Sequence, residues 1–242
     1  MKHQKIMASL TIPGDSLHID LSQPASIGPG VYCDPKTQEL KPVNAGLEVI
    51  SHTKKGQSVY IDYNSKRYIP AVGDFVVGVI TGTFSDSYRV SLADFSSSVT
   101  LSYMAFPNAS KKNRPSLKIG DLVYARVCRA EKELEAEIEC MDSVTGKDAG
   151  FGLLDGGMVI NASLAFAREL LFNNEFSLLQ ILAEYTQFEV AIGVNGKVWI
   201  KSEEVKNTLA CYRSIMQCQQ SPASEFKNII KKYFREVTNS SE

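Results

Sequence analysis

The chain has 242 residues, 44% of them hydrophobic and 22% charged, with a net charge of −1. That length holds one large domain or two to three small ones, each with a modest core. No apolar run approaches the roughly 18 residues of a membrane span, so no membrane partner is expected, and the near-neutral balance argues against coating of nucleic acid by bulk electrostatics.

The opening stretch MKHQKIMASLTIPGD carries Lys2 and Lys5 but no continuous apolar segment, so no secretory signal is expected. Turn residues then recur at Pro13-Gly14-Asp15, Gly28-Pro29-Gly30, Asp34-Pro35, Asn44-Ala45-Gly46 and Lys55-Gly56. Between them, runs such as GLEVI and SVYIDY have strand composition and no helical period. Residues 1–63 are read as an all-β domain of hairpins.

The middle of the chain writes an apolar residue, Gly-Asp and then an alternating run twice, in PAVGDFVVGVI from Pro70 and LKIGDLVYARV from Leu117. Glycine supplies unusual dihedrals and the aspartate caps local amides, so each pair marks a tight turn opening a strand. Gly78 and Gly82 suggest bends where one long strand serves two sheets. In SYRVSL, Tyr88, Val90 and Leu92 share one face, and in SVTLSYM, Val99, Leu101 and Tyr103 do so. ELEAEIEC reads as a half-buried strand with Leu134, Ala136, Ile138 and Cys140 inward and Glu133, Glu135, Glu137 and Glu139 on a solvated face. Several short alternating strands over residues 64–148 are the pattern of an OB-type β-barrel.

Residues 149–238 change character: GMVINAS is a strand, SLAFARELLF and SLLQILAEYT are helices, FEVAIG and KVWIKS are paired strands, and EEVKNTLACYRSIMQCQQ is a long amphipathic helix. On that helix Leu209, Tyr212, Ile215 and Met216 recur at helical spacing. This third part is α+β, and its last residues form a polar tail with no assigned element.

In this order of parts, the motifs IPGD, GPGVYCD, RYIPAVGDFVVGVI, SYMAFPNASKKNRP and AIGVNGKVW carry a resemblance to the RNA-binding cap subunits of the eukaryotic RNA exosome. It covers nearly the whole chain apart from the first residues and the tail. The resemblance implies a multidomain fold: an all-β N-terminal domain, an S1-type OB barrel and an α+β KH-like domain. It further implies a non-catalytic subunit that stabilises a ring of RNase-PH-like proteins and other exosome components and guides single-stranded RNA into the channel. That would serve 3′-to-5′ rRNA maturation and RNA decay in nucleus, nucleolus and cytoplasm. The alternatives are a free-standing S1/KH regulator or a fragment of an RNA-degrading enzyme.

From Arg89 to Lys118 the basic residues Arg89, Lys111, Lys112, Arg114 and Lys118 face a single acidic one, Asp94. The RNA candidates are Arg89, Lys111, Lys112 and Arg114, because OB barrels expose ligand-facing connections there. A solvated turn is the alternative for KKNRP, and pairing with an acidic strand neighbour the alternative for Arg89. Four neutralised phosphates would give a log–log salt slope of roughly −3 and about a fifty-fold affinity loss from 50 to 200 mM salt. Tyr88 and Tyr103 fall on the packed face, which leaves Phe106 as the exposed stacking candidate.

A KH clamp is a Gly-x-x-Gly loop between two helices. Here that loop is Asn173 to Phe176, without glycine and with Glu175. Gly193, Val194, Asn195 and Gly196 lie instead between two strands, where Asn-Gly suits a tight hairpin. Structural or domain-docking work is expected of Gly193, Asn195, Gly196 and Trp199, with RNA contact as the alternative. Pro13, Gly14 and Asp15 read as a turn, and the resemblance places them at a subunit interface.

No cofactor is expected, nor any catalytic or metal site. His3, His18 and His52 all lie near the N-terminus, no P-loop or zinc spacing occurs, and the ELEAEIE carboxylates would be spread along a strand about 7 Å apart rather than converging on an ion. The five cysteines form no C-x-x-C pair and read as reduced thiols.

Overall fold

The computed structural model describes residues 7–20, 25–53, 56–94, 96–110, 112–131, 133–142 and 145–239. The chain divides into two compact units, Met1–Ser65 and Lys66–Glu242.

In the first unit, β1 (Met7–Thr11), β5 (Gly46–Thr53), β6 (Gly56–Asp62) and β2 (Ala25–Ile27) form a sheet in that order, and β3 (Val31–Cys33) pairs with β4 (Leu40–Pro42) as a separate ribbon. Alternation sends Val59 and Ile61 inward together with Glu48, which is 1% exposed. A buried carboxylate is tolerated only when its oxygens are satisfied. Glu48 accepts from the Ser9 hydroxyl at 3.0 Å, the His18 amide at 2.8 Å and His18 Nδ1 at 2.8 Å.

The second unit opens with the barrel: β7 (Phe75–Thr83), β8 (Ser87–Ser91), β9 (Val99–Ser102), β10 (Leu122–Arg129) and β11 (Glu137–Glu139). β7 pairs with β8 and β10, β8 with β9, β9 with β11 in parallel, and β11 with β10, so five strands close on themselves. Closure leaves no open edge among them. Val76, Ile80, Val90, Leu101, Val123, Val127 and Ile138 fill the interior.

The repeated Gly-Asp pairs build matching turns. Gly73 and Gly120 hold φ of 94° and 97°, and the aspartate after each accepts from a backbone amide three residues back, Ala71 N to Asp74 at 3.1 Å and Lys118 N to Asp121 at 2.7 Å. Gly82 sits at a register shift in the β7–β8 pairing, and a Cβ on Gly78 would lie 2.4 Å from Val90 Cγ1, so β7 bends at one and is closely covered at the other.

The acidic strand departs from expectation. Only Glu137–Glu139 is strand, Leu134 is 52% exposed, and Glu139 is buried and ion-paired with Arg126 on β10. Strand alternation there holds for Ala136, Ile138 and Cys140 but stops where the ladder stops. A sixth strand, β12 (Gly152–Leu154), joins the outer side of β10.

The α+β part comprises β13 (Met158–Asn161), α1 (Leu164–Phe172), α2 (Leu178–Ala183), β14 (Phe188–Ile192), β15 (Lys197–Ser202), α3 (Val205–Cys218) and α4 (Phe226–Asn239). Its antiparallel sheet runs β13-β15-β14. Ser163 caps α1, its hydroxyl accepting from the Phe166 amide at 3.2 Å. On α3 the buried stripe is Thr208, Cys211, Ile215 and Cys218, while Met216 is 39% exposed. The expected stripe was turned because small side chains, not the bulkiest, face the sheet and α4. α4 has no counterpart among the elements expected from sequence. Its apolar residues alternate with lysines, which gave the segment the look of a polar tail until Phe226 and Ile230 found α2 and α3 to pack on.

Candidate nucleic-acid interface

The β7–β8 hairpin brings two basic side chains of the barrel together, Arg89 and Arg114. Its tip closes with the Phe84 amide donating to the Ser87 carbonyl at 2.8 Å. Arg89, on the outward face of β8, sets its guanidinium 5.1 Å from the centroid of the Phe84 ring. Arg114 arrives from the long β9–β10 connection, donates to the Ser85 carbonyl at 2.9 Å and lies 5.7 Å from the Tyr103 ring centroid. The Tyr103 hydroxyl in turn donates to the Phe84 carbonyl. Two cations from separate segments thus meet on Phe84 and Ser85.

Neither Arg89 nor Arg114 has an ion-pair partner among the described residues, although Asp86 shares the hairpin. Burial, and then Tyr88 beside it, pushes the Tyr103 hydroxyl above the ordinary tyrosine value, so it remains a donor. Lys112 is exposed, and Lys111 lies outside the described residues.

Phe106 is not the exposed stacking residue: it is half-buried and packs on the barrel core. The exposed ring is Phe84, 51% accessible at the hairpin tip. Its signal in sequence was an aromatic between turn residues in TGTFSDS, a position where alternation assigns no face.

In the α+β part, the α1–α2 loop folds onto itself. Asn173 donates from Nδ2 to Glu169 at 2.8 Å and accepts from the Glu175 amide at 3.0 Å, while Phe176 packs edge-on against Phe166 and Phe226 with centroids 5.7 and 5.5 Å away. With no glycine, and with exposed Glu175, the loop offers phosphate no bare backbone.

The β14–β15 turn enters the barrel. Val194 is buried in the barrel core and its amide donates to the Phe75 carbonyl at 2.8 Å. Asn195 accepts from Val77 N at 3.2 Å and donates to the carbonyls of Val77 at 2.8 Å and Leu92 at 2.6 Å. A Cβ on Gly193 would sit 2.7 Å from Val77 N, and Gly196 holds φ of 80° with the Ala162 carbonyl 2.6 Å from where a Cβ would be. Trp199 packs on Val77 and Ala191, and its indole N–H donates to the Gly156 carbonyl at 2.8 Å. Tyr124 of β10 adds a bond to the Ile192 carbonyl at 3.2 Å.

Pro13, Gly14 and Asp15 lie in the first unit. Gly14 takes φ of 107° and Asp15 accepts from the Ile12 amide at 3.0 Å, the same capped turn found before β7 and β10. Leu10, 78% exposed, stands opposite exposed Leu47 in the β1–β5 pairing. Among the described residues, no group of three or more His, Cys, Asp or Glu side chains converges to hold a metal ion, and no helix is long and apolar enough to cross a membrane.

A closed five-stranded barrel with a basic, aromatic hairpin, joined to a βααββαα fold, defines a modular S1/KH protein. Family profiles match it part by part: the S1 domain of exosome complex component RRP40 over residues 68–152, a KH domain over residues 157–206, and the N-terminal domain of "exosome complex exonuclease Rrp40" over residues 26–67. The chain belongs to the RRP40 family of exosome complex components.

It is 65% identical over 96% of its length to exosome complex component RRP40 of Saccharomyces cerevisiae, covering 98% of that protein. It is 38% identical to the Schizosaccharomyces pombe component over 95% of this chain and 98% of that one, and 34% identical to the Drosophila melanogaster component over 92% and 94%. A crystal structure of a candidate exosome complex RNA-binding protein shares the fold at 21% identity, with a TM-score of 0.58 over 72% of this chain and 99% of that one.

Proposed function

We propose that this chain is a non-catalytic, RNA-binding subunit of the exosome complex that helps guide single-stranded RNA toward a ring of RNase-PH-like subunits and stabilises that ring, in nucleus, nucleolus and cytoplasm. The observation that carries the RNA assignment is the meeting of Arg89 and Arg114 on the exposed Phe84–Ser85 tip, without carboxylate partners among the described residues. Cations beside an exposed aromatic ring are the means by which OB folds hold a strand without reading its sequence. Lys111 and Lys112 extend that patch in sequence.

Membership of the exosome rests on the near full-length similarity to components so named. The turn at Pro13, Gly14 and Asp15, with exposed Leu10, Ile12 and Leu47 in the same unit, is the proposed subunit interface, since an uncovered apolar pair beside a tight backbone turn suits close approach of another protein. Gly193, Asn195, Gly196 and Trp199 are assigned to domain docking, and the modules to residues 1–63, 64–148 and 149–238.

Affinity purification of the tagged chain from cells, followed by mass spectrometry, is expected to recover a stoichiometric set of ring subunits. A lone monomer on RNA would instead favour a free-standing regulator. Degradation of labelled RNA by the purified chain, persisting through stringent repurification, would overturn the non-catalytic assignment.

A further inference from the structure

The last helix carries a second basic surface: Lys227, Lys231, Lys232 and Arg235 fall within KNIIKKYFR, which holds no acidic residue. On α4 the residues Phe226, Ile229, Ile230 and Phe234 pack in the core and Tyr233 and Val237 are half-buried, while Lys227, Asn228, Lys231, Lys232, Arg235 and Glu236 are exposed. Lys227, Lys231 and Arg235 are four residues apart, so they form one row with a rise of about 6 Å between neighbours. Glu184 pairs with Lys227 at 3.8 Å and Glu236 with Lys232 at 3.9 Å, both distant and solvent-screened. Lys231 and Arg235 have no ion-pair partner among the described residues.

We infer that the outer face of α4 is a second binding track for the phosphate backbone of single-stranded RNA, separate from the barrel hairpin. The row of cations has the spacing of an extended polyanion, and the face holds no exposed apolar side chain. A protein partner needs apolar surface at the centre of its interface. A phosphate strand needs none, because counterion release supplies its binding free energy. The track starts beside the α1–α2 loop, where Phe176 packs on Phe226. It therefore places phosphate contacts on the KH-like part without the glycine loop that this chain lacks. Three cations engaging three phosphates give a log–log salt slope of about −2, which is about a twenty-fold loss of affinity between 50 and 200 mM salt.

The test uses the full chain and a labelled oligouridylate of about 16 nucleotides, followed by anisotropy across salt concentrations. K112E/R114E is expected to retain binding with the magnitude of the slope lowered by about 1.4, and addition of K231E/R235E to weaken binding further and lower it by about another 1.4. Ultraviolet cross-linking should also recover RNA-modified peptides from residues 227–235. Loss of all binding in K112E/R114E alone, or equal binding by the double and quadruple variants, overturns the inference. Retained RNA binding with loss of poly-glutamate binding in K231E/R235E overturns it in favour of an acidic protein segment. If charge reversal perturbs folding, K231A/R235A removes the cations with the best helix former and is read in the same way. Loss of binding through α4 alone, with K112E/R114E silent, would sink the barrel assignment and leave this one standing.

Discussion

Asn195 completes the edge of Val77 as a neighbouring strand would, its side-chain oxygen accepting the Val77 amide at 3.2 Å and its side-chain nitrogen donating to the Val77 carbonyl at 2.8 Å. A third bond reaches the Leu92 carbonyl at 2.6 Å, so one amide side chain spans β7 and the end of the β8 segment. The carboxamide is the only neutral side chain of this size that both donates twice and accepts. Replacement by alanine strands buried backbone groups, at about 1–3 kcal/mol each. Asn195→Ala is expected to lower stability by about 3–5 kcal/mol in urea denaturation. Asn195→Asp should be no better, since it forfeits both donors and buries a charge. A loss below about 1 kcal/mol in both would show that the contact is incidental.

Trp199, the single tryptophan, reports on the same contact between barrel and KH-like fold. If residues 66–242 unfold as one cooperative unit, its fluorescence and the far-ultraviolet dichroism will change at the same denaturant concentration. Separate midpoints would mean that the two folds part before either melts. Trp199→Phe keeps most of the buried area and loses the bond to Gly156, an expected cost of about 1–2 kcal/mol.

The hairpin assignment separates charge from stacking. R89E/R114E should reduce the magnitude of the salt slope for single-stranded RNA by about 1.4, since two phosphate contacts are lost. Phe84→Ala should weaken binding by about 1–3 kcal/mol with a smaller change of slope, because a base loses its platform and no cation is removed. Anisotropy titrations at several salt concentrations distinguish the two, and an unchanged affinity in both variants would reject the hairpin as an RNA surface.

The thiols give a graded chemical test. All five cysteines are free, and Cys33 is exposed while Cys140, Cys211 and Cys218 are buried. Burial pushes the Cys211 thiol up to about 11 and those of Cys140 and Cys218 to about 12, from an ordinary 9.0. A thiol reagent should therefore modify Cys33 promptly in the native protein and the buried three only on unfolding. The pH consequence has a definite sign. Above pH 9 the unfolded chain releases these protons while the native state keeps them, so stability is complete below pH 9 and falls as pH rises toward 11 to 12. Denaturation midpoints that stay level across that window would contradict the burial of these groups.

Much of the architecture was legible because it is local. Alternation in SYRVSL and SVTLSYM placed Tyr88, Val90, Leu92, Val99 and Leu101 inside, and the burial of all five agrees. Leu134 departs from the alternation because it lies beyond the segment that pairs, Glu137–Glu139, and is exposed. Phe84 rather than Phe106 is the exposed ring because a loop residue's exposure depends on where the connection folds back, which no period encodes. α4 escaped notice because its lysines masked a helical stripe whose partners, α2 and α3, come from elsewhere in the chain.

By itself the sequence determined the strand faces, the capped Gly-Asp turns and the glycine-free helix loop, since each depends on dihedral preference and hydrogen bonds among residues a few positions apart. Tertiary structure alone decided that Asn195 would answer Val77 across 118 positions, and that Arg89 and Arg114 would share one hairpin tip. Barrel closure brings these groups together. Its geometry is a property of five strands acting jointly, and no single stretch of sequence contains it.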